Sequence, residues 1–407
     1  MTTHAPVASP SIHCPLPAEA WALALASLPG CGQHRLRSAL LLADHDAEVA
    51  WRNLAAGERL TELAEAIGRD GSSVVARWHV AARSTDVARR WTAFADDGVG
   101  VWVERGNGYP EALADDPDPP PVLFWRGDPQ ALEHPAVAIV GTRRCTAYGS
   151  DVARSLGRDL AAAGVAVVSG LALGIDGAAH EGALAAGHVE GQALDDDPSM
   201  PATGAADVGP PIAVVGSGLD VVYPPRHRTL WRRVADHGLL VTESPLGALP
   251  EPWRFPRRNR ILAALAQVVV VVESHASGGS LSTVRNAIDR GVTVMAVPGS
   301  VRSPSSAGTN RLLADGVAPV MCADDVLTAL TLEGVTLQSP AAHRRVTTPA
   351  HDDDDDSPVL AAVDWTPTAT EDILRRTGLT LGAAATELAR LEVQGRVRRR
   401  GGWWERR

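Results

Sequence analysis

The sequence predicts an α/β protein whose core is a parallel sheet sandwiched by helices, with a helical domain before it and a winged helix after it. Three observations carry that prediction. Between residues 135 and 330 the short runs AVAIVG, VAVVSG, PIAVVGSG, LLVTES, QVVVVVES and VTVMAVPG alternate with helical patterns. Their hydrophobicity is continuous rather than alternating, which marks strands covered on both faces. Residues 17–100 are rich in Ala and Leu at three- and four-residue spacing, the helical period. Residues 358–407 read as a helix, a turn at Thr377-Gly378, a second helix and a glycine-punctuated hairpin, the order of a winged helix.

A chain of 407 residues exceeds one ordinary core and points to two or three domains. Residues 1–16 lack a basic start and an apolar run, so no export signal is expected and the N-terminus is expected to be disordered. No run approaches the roughly 20 apolar residues a bilayer demands. The four cysteines, Cys14, Cys31, Cys145 and Cys322, show no CxxC spacing, so neither a thiolate zinc site nor a disulfide framework is indicated, which fits a cytoplasmic setting. The chain contains no lysine, so Schiff-base chemistry and the P-loop lysine are excluded and every strong cation is an arginine.

Within residues 17–100, LASLPGCGQHRLRSALL places a Pro-Gly-x-Gly turn, Pro29 to Gly32, between two helices. A helix-hairpin-helix uses such a turn to bring backbone N–H groups onto a DNA phosphate, with Arg35 and Arg37 nearby; an ordinary αα-hairpin has the same pattern. Residues 101–134 form a connector whose prolines exclude regular structure until Val122 to Trp125. Inside the core, residues 188–210 are an acidic, small-residue insertion, and residues 331–357 are an acidic linker with five consecutive aspartates. The winged helix, 358–407, carries Arg396, Arg398, Arg399, Arg400, Arg406 and Arg407, which suits DNA or a docked protein, with DNA slightly favoured.

In a doubly wound sheet the ligand crevice lies at the carboxyl ends of the strands. The loop GTRRCTAYG supplies Gly141, Thr142 and Arg143 before a helix N-terminus, a phosphate site by its free N–H groups and its charge. It is not GxGxxG and lacks the acidic ribose-binding residue about 20 positions on, which disfavours NAD. The loop SGLALGIDGAAH supplies Ser169, Gly170, Gly174 and Asp176, with His180 following; capping explains Asp176 and a satisfied, half-buried ring explains His180 better than catalysis does. GSGLDVVYPPRHR supplies Gly216 and Gly218. FPRRNRILAAL supplies Arg257, Arg258, Asn259 and Arg260, with Phe255 assigned to the core. Cations at a helix N-terminus oppose the macrodipole unless an anion arrives. Ser277, Gly278, Gly279 and Ser280 form an N–H nest, and Thr309 and Asn310 precede a short helix. These loops present arginines and N–H groups but neither a metal cluster nor a nucleophile elbow, so the expectation is polyanion binding without catalysis, metal or cofactor.

The ordered set GTRRCTAYG, SGLALGIDGAAH, GSGLDVVYP, TESPLG, FPRRNRILAAL, SGGSL, AVPG and GTNRLLADG resembles the DNA-processing protein A family (DprA, also called Smf) over residues 135–320. The resemblance implies an extended Rossmann-like core that binds single-stranded DNA in a basic pocket, protects incoming strands and helps load the RecA recombinase during natural transformation, as a homodimer without turnover. Arg143, Ser169, Gly170, Arg257, Arg258, Asn259 and Arg260 would then line or support the strand. Leu173 and His227 stand where relatives carry a basic residue and an asparagine. Two alternatives are a nucleotide phosphoribohydrolase of the LOG type, whose PGGxGTxxE pattern SGGSLSTVRNA only partly matches, and an adaptor acting through its winged helix. Few aromatic residues occur in these loops, so little base stacking is expected.

Overall fold

The computed structural model describes residues 15–186, 208–337, 357–365 and 367–406. Residues 1–14, 187–207 and 338–356, which make up most of the N-terminal 1–16, the 188–210 insertion and the 331–357 linker, lie outside the described residues. No described helix is long and apolar enough to cross a membrane. The chain divides into two compact units, one made of residues 1–126 with 216–221 and 241–251, the other of 127–215, 222–240 and 252–407.

The first unit begins with six helices, α1 (Ala18–Ala26), α2 (Gln33–Leu41), α3 (Ala47–Ala56), α4 (Leu60–Ile67), α5 (Gly71–Ser84) and α6 (Val87–Asp96). Asp46 and Asp86 cap α3 and α6 by accepting from the N–H groups of Val49 and Arg89, both at 3.0 Å. Trp78 is fully buried and its indole donates to the Pro29 carbonyl at 3.0 Å, which buttresses the Pro-Gly turn from α5. Arg35 turns back to donate to Gly30 O, and Arg37 pairs with Asp118 at 3.2 Å and donates to Pro119 O. Arg35 thus holds the hairpin turn, and Arg37 ties α2 to the connector. The strand β1 (Gly100–Val103) pairs antiparallel with β2 (Val122–Gly127), Gly100 opposite Trp125, around the single turn α7 (Glu111–Ala114). The connector is therefore more regular than its prolines suggested. They cluster at 110–121, inside the hairpin loop, and leave both strands free of proline.

The second unit holds the sheet. Its elements are β3 (Ala136–Val140), α8 (Ala147–Ala162), β4 (Ala166–Ser169), α9 (Ile175–Ala186), β5 (Pro211–Val214), α10 (Arg228–His237), β6 (Leu239–Thr242), α11 (Arg254–Ala264), β7 (Val268–Val271), α12 (Ser280–Ile288), β8 (Thr293–Ala296), α13 (Ala307–Ala314), β9 (Ala318–Pro319) and α14 (Ala323–Leu332). The strand order is β6-β5-β4-β3-β7-β8-β9, and the registers from β5 across to β9 are all parallel. All six β-branched runs are strands. Val137, Ile139, Val167, Val268 and Val270 are fully buried beneath α8, α9 and α14, as a sheet covered on both faces requires. The chain leaves β3 toward β4 and β5 on one side and returns on the other through β7. That reversal opens a crevice at the carboxyl ends of β3, β4 and β7.

The C-terminal part comprises α15 (Pro358–Ala362), β10 (Thr368–Ala369), α16 (Thr370–Thr377), α17 (Leu381–Val393), β11 (Val397–Arg400) and β12 (Trp403–Arg406), the strands ordered β10-β12-β11. Gly378 ends α16 at φ +67°, a conformation glycine adopts without strain. Val359, Ile373, Leu388, Leu391, Val397 and Trp404 form its core.

Candidate nucleic-acid interface

A cleft of about 700 Å³ opens at the carboxyl ends of β3, β4 and β7, and its walls include the N-terminal turns of α11 and α12. Its first wall follows β3. Gly141 has room for no side chain, since a Cβ would lie 2.5 Å from Ile175 and 2.8 Å from the Glu273 carbonyl. The next five residues are pinned from β7. The Thr142 N–H donates to Glu273 O at 2.8 Å, and the buried Glu273 carboxylate accepts from the N–H of Thr146 at 2.9 Å and from its hydroxyl at 2.6 Å. Thr146 in turn caps α8 through Gly149 N at 3.1 Å. Between these fixed points Arg143 and Arg144 are pushed outward and exposed. The Arg143 guanidinium lies over the Phe255 ring at 4.9 Å, and Phe255 packs against Tyr223 with centroids 5.4 Å apart.

Phe255 is therefore half-buried cleft wall rather than core. It precedes the buried turn of α11, where Ile261 and Leu262 face inward. The scarcity of aromatics along the sequence is misleading here, because the fold brings Tyr223, from a loop, against Phe255, in the first turn of α11.

The floor is built on Arg258. Its side chain is 6% exposed and donates to the carbonyls of Gly170, at 2.8 Å, and Val214. Any Cβ on Gly170 would fall within its guanidinium. Asp176, also buried, stands 3.8 Å from it. Burial outweighs the pairing on both partners, lowering Arg258 to about 10 and raising the Asp176 carboxyl. Asn259 lines the cleft and donates to Ser282 Oγ at 2.6 Å. Gly278, Gly279 and Ser280 complete the wall; the Ser280 hydroxyl donates to Ser274 Oγ at 2.9 Å.

Thus Gly141, Thr142, Arg143, Asp176, Arg258, Asn259, Gly278, Gly279 and Ser280 meet at one cleft. Gly170 and Gly174 shape it from below: Gly170 admits Arg258, and Gly174, at φ +82°, clears the Thr142 carbonyl. Several other residues do different work. Ser169 is fully buried and donates to Ile139 O at 2.6 Å, tying β4 to β3. Arg257 is half-exposed and Arg260 is buried, because helical rotation turns their side chains away from the cleft-lining Arg258 and Asn259. Ser277 is exposed outside the lining residues. Thr309 donates to Ser306 O, and Asn310 clamps both backbone groups of Gly299, so these two hold a loop together. Gly216 and Gly218 belong to the other compact unit, where the Gly218 N–H donates to Ala248 O at 2.9 Å. Glu273 and Tyr223 are the parts that sequence reasoning missed. A glutamate ending a wholly apolar strand was the available signal, since a buried charge needs a partner.

His180 is fully buried rather than half-buried, its Nε2 3.3 Å from Ile212 O. Burial chiefly, with the nearby His227 and Arg258 adding to it, holds its pKa down to about 4 from 6.5. The unfolded chain takes up this proton near 6.5 and the folded chain only near 4. Stability from His180 is therefore complete above about 6.5 and lost as the pH falls toward about 4, where the loss reaches about 3 kcal/mol. Urea midpoints measured across that window should fall less steeply in His180→Gln than in the unaltered protein. Asp176, whose raised carboxyl acts in the opposite sense, is common to both proteins and drops out of the comparison. Among the described residues no group of three or more His, Cys, Asp or Glu is placed to hold a metal ion.

The chain has relatives among known proteins. Residues 101–331 match the model of the DNA recombination-mediator protein A family. The chain belongs to that family. Residues 343–402 also match the DprA winged helix domain. Protein Smf of Synechocystis is 32% identical over 323 residues, covering 71% of this chain and 75% of that one. The DNA processing protein DprA of Bacillus subtilis is 33% identical over 249 residues, covering 61% and 77%. The X-ray structure of DprA from Streptococcus pneumoniae superposes with a TM-score of 0.59 at 29% identity, covering 76% of this chain and 95% of that one.

Within the DprA winged helix, the arginines are largely engaged by the domain itself. Arg398 pairs with Glu405 at 2.7 Å, Arg399 lies over Trp404 at 5.8 Å, and Arg406 donates to the carbonyls of Leu360 and Val363. Basic composition alone therefore overstates the charge this face offers to DNA.

Proposed function

We propose that the cleft binds single-stranded DNA and that the protein acts as a mediator: it shelters the strand and helps load the RecA recombinase during transformation or recombination, as a homodimer, without covalent chemistry. One observation carries the reading, the stack of Arg143 on Phe255 on Tyr223 at the mouth of a cleft floored by Arg258. An exposed arginine beside two aromatic faces suits a phosphate and an unstacked base together, which a single strand offers and a closed duplex withholds. Membership of a DNA recombination-mediator family supports the same reading.

Arg143→Ala tests it. The residue is exposed and has no structural hydrogen bond to lose, so folding should be unchanged. Binding of single-stranded oligonucleotides should weaken about tenfold regardless of sequence, and the log–log salt slope should become shallower by about 0.7 for the lost phosphate contact. Equal affinity and slope, measured by fluorescence anisotropy across salt, would remove Arg143 and with it the proposed site.

A further inference from the structure

We propose that Arg226, Arg228 and Arg232 form a second polyanion track, outside the cleft, that carries the phosphodiester backbone of the strand on from Tyr223. The inference rests on the reading of the cleft as a single-stranded DNA site and extends it to a surface on the first turns of α10.

The three side chains are exposed, and none makes an ion pair or hydrogen bond with a described residue. On four other helices an arginine is paired with an acid three or four residues away, Arg52 with Glu48, Arg311 with Asp315, Arg375 with Asp372 and Arg390 with Glu387, while Arg77, Arg83, Arg89 and Arg285 are exposed singly without such a pair among the described residues. On α10 the order is different. Leu230, Trp231 and Val234 are buried, so Arg228 and Arg232, one turn apart, share the outward face. Like charges at that spacing repel. Asp236, one further turn on, forms no ion pair with Arg232. Arg226, in the 3-10 turn Pro225–His227, and Arg228, the first residue of α10, also stand at the positive end of the helix dipole. In a chain of net charge −10, three neighbouring unpaired cations, two of them set against a helix dipole, are an unfavourable arrangement that an arriving anion reverses.

The geometry ties this patch to the cleft. Arg226 lies three residues after Tyr223, whose ring lines the cleft and packs on Phe255. Between them and α10, His227 is inserted into the loop after β4: its Nδ1 is 3.0 Å from the carbonyl of Leu171, a residue held at φ 52°. Gly177 makes room for the ring, since a Cβ there would stand 2.5 Å from His227 Cε1. The residue after Leu171, Ala172, is itself a cleft wall. The turn bearing the arginines is thereby fixed to the site, so the track has a defined starting point. It contains no exposed aromatic side chain beyond Tyr223, so its contacts are with phosphates and read no sequence.

The test compares two lengths of oligothymidylate, about six nucleotides to occupy the cleft and about twenty to run beyond it, by anisotropy across salt. In the triple variant Arg226→Ala, Arg228→Ala, Arg232→Ala the long probe should bind about ten- to fiftyfold more weakly, with a slope shallower by about 2 for three lost contacts. The short probe should bind as it does to the unaltered protein. Equal affinity of the variant and the unaltered protein for the long probe overturns the track, and so does an equal loss at both lengths, which would be a general field rather than a path. A short probe indifferent to Arg143→Ala points instead to failure of the cleft reading, so the two failures are told apart. Arg228→Glu with Arg232→Glu should deepen the long-probe loss further and leave the short probe unchanged.

Discussion

Arg258→Ala should destabilise the second unit by about 3–5 kcal/mol and abolish single-strand binding. Three consequences of the truncation add. The Asp176 carboxylate would be left buried without its cation. The carbonyls of Gly170 and Val214 would lose their donor, and an uncompensated buried acceptor costs about 1–3 kcal/mol. A cavity the size of a guanidinium would also open between β4 and α11. Binding fails with the floor, because Gly170, Asp176 and the loop between them take their positions from this side chain. Urea unfolding followed by circular dichroism gives the first effect, and anisotropy gives the second. The double variant Arg258→Met, Asp176→Asn separates them: both charges are gone, so at least half of the lost stability should return while binding stays absent. Gly170→Ala should resemble Arg258→Ala in both assays, since its methyl group occupies the space of the guanidinium. An Arg258→Ala protein as stable as the parent would show that the buried pair holds nothing.

Arg258 also shows how far the sequence could be read. In the sequence, FPRRNRILAAL is a row of arginines at a helix start, and nothing local distinguishes Arg257, Arg258, Asn259 and Arg260 from one another. In the fold only Arg258 and Asn259 of the four line the cleft, and the arginine does so as a buried frame member while the exposed cation comes from the loop after β3. Which arginine faces a ligand depends on the rotation of α11 against the sheet, and that is set by the packing of Ile261 and Leu262, not by the charge pattern. The strands themselves were legible because burial on both faces leaves an unbroken apolar run. β9 was not, being two residues long. Contacts such as Phe255 with Tyr223 join segments over thirty residues apart and leave no local trace. In the sequence His227 is only a departure from the family pattern; its pinning of the 3-10 turn to Leu171 is a contact between residues far apart along the chain.

Glu273→Ala is the sharpest test of how the cleft presents Arg143, because two physical effects predict opposite signs. The carboxylate is a buried negative charge next to the loop proposed to meet phosphates. If its field mattered most, removing it would strengthen DNA binding, by an amount on the order of 1 kcal/mol at a protein-like dielectric. Its hydrogen bonds argue the other way. The two Thr146 contacts fix the loop that displays Arg143, and bonds to a charged group contribute about 1.5–3 kcal/mol each. Losing them should destabilise the unit by about 2–4 kcal/mol and free the loop, so that a bound strand must order it again. Positioning should win, and affinity should fall about tenfold, near the 1.4 kcal/mol that separates decades. Glu273→Gln isolates the charge. Its carbonyl oxygen still accepts from Thr146 N–H, the side chain keeps its shape against Gly149, and the negative charge is absent. This variant should bind single strands at least as tightly as the parent, with a modest loss of stability. Tighter binding by Glu273→Ala than by the parent would mean that electrostatics outweighs loop order, and that Arg143 reaches the strand without being held in place.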